Sequence, residues 1–279
     1  MKNFAQAAAC IALLCLAAAA AGSAADVFRV SDRSAVPLEQ MMEDLRSVDI
    51  IYVGELHHMK EHHRLELEII RMLHESDIPL AVGLEMFRAE DQRILDAWTG
   101  GTLGTGRFIA SYYENWTLPW PLYEDIFLYA REHRIPLVGL NIPSEVPAAV
   151  AKSGFAALPD EQRKHLPRGL SCNVDPKYRK FIERAYAGHG AHSRKQFEHF
   201  CEAQLVWDKS MAWNLIAYRK AKPGVKMVVL SGLGHAWRSG MPEQVSREDG
   251  AASRVVLPMI DRQITPATIT TDDADYLVY

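Results

Sequence analysis

Five short apolar runs punctuate the chain. Asp49–Val53 leads into Gly54-Glu55, Ile78–Val82 into Gly83-Leu84-Glu85, Ile135–Val138 into Gly139-Leu140-Asn141, and Lys226–Leu230 into Ser231-Gly232; Arg254–Leu257 ends at Pro258. Runs of this length, rich in Val, Ile and Leu and without polar alternation, suit strands covered on both faces. Helical periodicity lies between them. His62–Glu75 sets Leu65, Ile69, Met72 and Leu73 on one stripe, and Leu122–Arg134 carries Ile126, Phe127 and Ala130. Gln196–Lys220 turns Phe197, Phe200, Leu205, Met211, Leu215 and Ile216 inward. Alternating strands and helices imply a three-layer α/β/α fold with a mainly parallel sheet. Gly100–Pro121 and Pro159–Gly190 are less regular and read as helical or loop insertions over the carboxyl edge of the strands.

The first 25 residues follow another pattern. Lys2 precedes the apolar run Ala7–Ala21, and Ser23-Ala24-Ala25 places small residues before a cut at Asp26, which reads as a secretory signal peptide. The expected organisation is therefore a leader over residues 1–25 and one α/β domain over 26–279. The expected destination is the periplasm or cell envelope. Cys15 follows two leucines where a lipoprotein signal calls for smaller residues, so lipid anchoring is the less favoured route. Cleavage leaves Cys172 and Cys201, which an oxidising compartment can join, and the spacing alone leaves the bridge open.

Composition narrows the chemistry. The 279 residues are 48% hydrophobic and 24% charged, with a formal charge of −4, so no electrostatic grip on nucleic acid is expected. Of 11 histidines, His57, His58, His62 and His63 fall within seven residues. Ligands of open parallel sheets bind beyond the carboxyl ends of the strands. The polar residues leaving the runs at that edge are Glu55, Glu85, Asn141 and His235. Glu55, His57, Glu85 and His235 together suit a divalent cation such as Mn, Fe, Co or Zn, or general acid–base work. His-Glu-x-x-His, phosphate-loop and dinucleotide signatures are absent from the sequence. Tyr112, Tyr113, Trp116, Trp120, Tyr123 and Phe127 crowd one insertion, which reads either as an aromatic lid packed on the core or as a wall for a flat ligand such as haem.

Six segments in order carry a resemblance to a known family. They are Val53–His58 with Glu61–Arg64; Gly83–Phe87 with Gln92; Trp116–Tyr123; Asn141–Pro143; Ala203–Asp208 with Met211-Ala212; and Gly232–His235 with Gly240–Pro242. This series resembles the ChaN-like haem-binding uptake proteins, within a superfamily that includes Tiki proteases, TraB and erythromycin-esterase-type proteins. Family members often carry Asp where this chain has His58. The resemblance implies a haem-binding protein of iron uptake, delivered to the cell envelope and serving outer-membrane uptake machinery. It also implies a homodimer with stacked haems between subunits and tyrosine ligation, for which Tyr112, Tyr113, Tyr123, Tyr178 and Tyr186 are the candidates. The expected haem contacts are Tyr112, Tyr113, Trp116, Trp120, Tyr123, His58 and His62. The Tiki relatives imply an alternative, a metal-dependent peptidase or esterase with Glu55, His57, Glu85 and His235 on the metal.

Overall fold

The computed structural model describes residues 27–164, 166, 167, 170, 172, 174, 176–187 and 194–279. The leader and His165, His189 and His192 lie outside them. Each apolar run forms a strand: β3 (Ile50–Glu55), β4 (Leu80–Arg88), β5 (Leu137–Asn141), β6 (Lys226–Gly232) and β7 (Ser253–Pro258). Short β1 (Val27–Arg29), β2 (Ser34–Val36) and β8 (Tyr276–Val278) complete an eight-stranded sheet in the order β2-β1-β8-β7-β3-β6-β4-β5. Pairing is parallel from β8 to β5, whereas β1 runs antiparallel to both of its neighbours.

Strand side chains alternate between two apolar layers, because successive residues of a strand point to opposite faces. Ile51, Val53, Val82, Leu84, Val228, Leu230 and Val256 pack beneath α1 (Leu38–Arg46), α2 (Lys60–His74), α3 (Gln92–Thr99), α4 (Thr105–Asn115) and α5 (Trp120–Glu132). The opposite face carries Ile50, Tyr52, Ala81, Val229, Val255 and Leu257. The helices α9 (Arg194–Ala221), α10 (Leu233–Ala236) and α11 (Met241–Asp249) cover it, after α6 (Glu145–Ser153), α7 (Asp160–Arg163) and α8 (Pro176–Ala187) in chain order. The C-terminal half of α9 lies on the sheet, and its N-terminal half packs with α6 and α8 around Val150, Tyr178, Ile182 and Phe197.

The aromatic insertion is mostly core. Phe108, Tyr112, Trp120 and Phe127 pack ring against ring at 5.3–5.8 Å between centroids, closing the gap between α4 and α5. Pro121 in the first turn of α5 suits that position, where a missing N–H costs no helical bond. Pro159–Gly190 contains α7 and α8, held to α9 by a Cys172–Cys201 disulfide. No helix among the described residues is long and apolar enough to cross a membrane.

Candidate functional site

The ends of β3, β6 and β4 lie side by side, with Glu55 paired to Gly232 in register. Glu55 shares the strand face of Ile51 and Val53, so it points under α2 and α5. Glu85 has the parity of Ala81, so it points under α9 and α10. The two carboxylates meet one edge of the sheet from opposite faces, and each gathers its own partners.

On the first face, Glu55 is 1% exposed and accepts from Tyr123 Oη at 2.7 Å and His57 Nδ1 at 2.8 Å through one oxygen. Its other oxygen abuts His63 Nε2. Burial alone would raise this acid, yet the hydrogen bond from His57 and the nearby charge of the His63 and His57 imidazoles hold it down at about 2. Glu66 follows His63 by one helical turn and is fully buried, and burial with the charges of Glu55 and Glu85 pushes it well above the carboxylate range. The Tyr123 ring lies tilted against His63 at 4.0 Å between centroids, and its phenol is raised by burial and by Glu55.

On the second face, Glu85 accepts from the Gly232 amide at 2.6 Å and lies 3.7 Å from His235 Nε2. His235 Nδ1 bonds Asp208 at 2.7 Å, and the other Asp208 oxygen accepts from Tyr178 Oη at 2.5 Å. Burial lowers the imidazole's pKa, but Glu85 and Asp208 outweigh it and carry His235 up to about 9. Trp207 contacts the ring edge-on.

Gly232 joins the halves. A β-carbon there would stand 2.7 Å from His57 Cε1 and 2.8 Å from Nε2, so only glycine lets the ring lie against the strand end beside Glu85. His57 therefore bridges both faces. Its burial works against protonation, while Glu55 and Glu85 raise its pKa. His57 and His235 each have Nδ1 on a buried carboxylate, and His235 turns Nε2 toward Glu85, an orientation suited to proton transfer or metal ligation.

The four-histidine cluster disperses. His57 enters the site, His58 is exposed, and His63 is buried. His62 Nδ1 accepts from the Leu56 amide at 2.9 Å, fixing the turn before α2, and burial lowers its pKa. Asn141 spends its side chain on backbone, donating to the Glu85 carbonyl and accepting from the Ile142 amide. Among the expected haem contacts, Tyr112 is buried and donates to the Leu118 carbonyl, Trp120 lies in the core, and Tyr123 is bound to Glu55. Trp116 meets His57 edge-on at 4.9 Å, and Tyr113 is 48% exposed. Sequence reasoning passed over Glu66, and it noted Asp208 only within a motif. Both sit on buried helical stripes, Glu66 between His63 and Ile69 and Asp208 between Leu205 and Met211. A carboxylate in phase with an apolar stripe is the signal that reveals them.

A family model described as haem-binding uptake, Tiki superfamily, ChaN matches residues 41–245. The chain belongs to this ChaN family. The matched span runs from α1 into α11 and contains every site residue described above. A solved structure showing cofacial haem binding to ChaN of Campylobacter jejuni is similar to this ChaN-family chain at TM-score 0.71 and 19% identity, covering 91% of this chain and 96% of that one. A mutant of the erythromycin esterase EreC in its open conformation is similar at TM-score 0.52 and 14% identity, covering 83% and 76%. At these identities the likeness is one of fold. Comparison with curated proteins finds no match.

One pH dependence follows for the ChaN-family site. The folded pKa of His235, about 9, lies above its ordinary 6.5. Its contribution to stability is therefore fully present below pH 6.5 and is lost as pH rises through 9, an effect of about 3 kcal/mol. Histidine NMR across that range is expected to show one imidazole titrating near the upper end. If every imidazole titrates near 6.5, the Glu85–His235–Asp208 linkage is wrong.

Proposed function

We propose that this protein is an exported haem-binding protein of haem and iron uptake, working in the periplasm or cell envelope. The observation that carries the proposal is the ChaN family match over residues 41–245. Haem is its ligand and cargo, received at the carboxyl edge of the sheet. Haem iron takes an axial phenol or imidazole, and its flat faces need apolar cover. The chain's accessible groups fit that demand: the exposed phenol of Tyr113, the exposed imidazole of His58, and the partly buried indole of Trp116 beside His57. The hydroxyls of Tyr112, Tyr123 and Tyr178 are committed to Leu118, Glu55 and Asp208, and Tyr186 packs between Phe197 and Phe200. The Tyr113 hydroxyl accepts from the Trp120 amide at 3.0 Å, but this residue is 48% exposed, so it is the phenol to test first. Haem held on such an open edge is shared between two copies of the chain and passed to or from outer-membrane uptake machinery.

Titration of purified protein with haemin is expected to give a saturable Soret shift. Tyr113→Ala is expected to weaken binding at least tenfold, and haem to shift the sedimentation coefficient toward a dimer. A linear, unsaturable titration would overturn the proposal.

The second reading, a metal-dependent peptidase or esterase, is favoured by one observation. The edge carries two imidazoles, each oriented by a buried carboxylate, as hydrolytic sites use them. It requires metal-dependent turnover of a peptide or ester that His235→Ala abolishes.

A further inference from the structure

The cluster beneath the edge is not explained by haem binding or by the edge residues. Glu55, His63 and Glu66 are respectively 1%, 2% and 0% exposed. One ligand atom from each lies within 4.8 Å of the others. Among the described residues, both Glu66 oxygens and both His63 ring nitrogens lack a hydrogen-bond partner, and so does the second Glu55 oxygen. His63 Nε2 and Glu55 Oε2 touch, but not in hydrogen-bond alignment. Lone pairs from three side chains, supplied by the end of β3 and two successive turns of α2, therefore face one another in a sealed interior. Buried polar groups left unmatched are costly, and two buried carboxylates side by side are costlier still.

We propose that Glu55, His63 and Glu66 form a buried divalent-cation site, separate from the strand-edge residues Glu85 and His235. Two carboxylates balance the charge of one divalent ion, and the single imidazole with carboxylate oxygens suits Zn²⁺, Mn²⁺, Fe²⁺ or Co²⁺. The site explains the donors that the protein itself does not satisfy. It also has a consequence for the edge: the ion would hold one oxygen of Glu55 while the other orients His57, so the interior metal sets the posture of the edge histidine. The ion has no open path from solvent, so it enters as the chain folds and exchanges slowly.

The test is metal analysis of protein produced in zinc-supplemented medium and then dialysed against a mild chelator. Wild type is expected to retain about one equivalent. Glu66→Gln and His63→Ala are expected to lose it, while Glu85→Gln and His235→Ala keep it. Wild type retaining no metal, or metal that survives Glu66→Gln or depends on His235, overturns the assignment. X-ray absorption at the zinc edge of the wild type decides without any variant. One imidazole among oxygen neighbours supports the interior site, and two imidazoles would place the ion at His57 and His235 instead. Haem binding is scored separately, so failure of either proposal leaves the other standing.

Discussion

Replacing Asp208 by alanine is expected to lower the unfolding free energy by about 3–5 kcal/mol, the usual cost of removing one partner from a buried charged pair. Asp208 is 2% exposed and serves two groups at once, accepting from His235 Nδ1 at 2.7 Å and from Tyr178 Oη at 2.5 Å. Its loss leaves the His235 imidazolium with Glu85 at 3.7 Å as its remaining carboxylate. The ring's pKa should then drop from about 9 toward its ordinary value, so the variant gives up the pH-dependent part of its stability as well. Urea unfolding at pH 7 measures the first effect and histidine NMR the second. A loss below 1 kcal/mol, with His235 still titrating high, would show that Asp208 is not the anchor of this ring. Asp208→Asn keeps the shape but removes the charge. It should fall between wild type and Asp208→Ala, because the amide can still accept one hydrogen bond.

Reducing the Cys172–Cys201 bridge is expected to cost about 3–4 kcal/mol, the loop-closure entropy for cysteines 29 residues apart. The bridge ties the segment leading into α8 to the buried Cys201 of α9. Among the described residues, Leu166 and Leu170 of this segment and Tyr178 and Ile182 of α8 join the cluster on the N-terminal half of α9, and the covalent link adds to that packing. Tyr178 connects this region to Asp208, so loosening α8 should also disturb His235. Unfolding with and without reductant, followed by limited proteolysis, checks this. Identical urea midpoints would show that packing alone holds α8 in place. Protection of 159–190 from protease after reduction would lead to the same conclusion.

Fold class was legible because parallel strands buried on both faces must be apolar at every position. That requirement writes Ile50–Val53, Leu80–Val82, Leu137–Val138, Met227–Leu230 and Val255–Leu257 as continuous runs. The helices α2, α5 and α9 were legible for the complementary reason, since each buries one stripe at helical spacing. Strands β1, β2 and β8 were not, because three residues carry no period, and the sheet edge rather than their composition holds them. The aromatic insertion had two readings in sequence. Packing resolves part of it, since Tyr112, Trp120 and Tyr123 are needed to fill the space between α4 and α5, while Tyr113 is exposed and Trp116 lies half-buried against His57.

Glu55, Glu85 and His235 could be placed at the carboxyl edge from sequence alone, because each comes just after a buried apolar run. The family's ordered motifs likewise marked the chain as ChaN-like. Which of these groups become partners depends on long-range packing. The alternation of strand residues sends Glu55 and Glu85 to opposite faces; the adjacent α2 supplies Glu66 and the distant α5 Tyr123 to one, while α9 and α8 supply Asp208 and Tyr178 to the other. Such pairings depend on where α2, α5 and α9 lie across the sheet. Local periodicity describes each helix's buried stripe, but not the strand end it will meet.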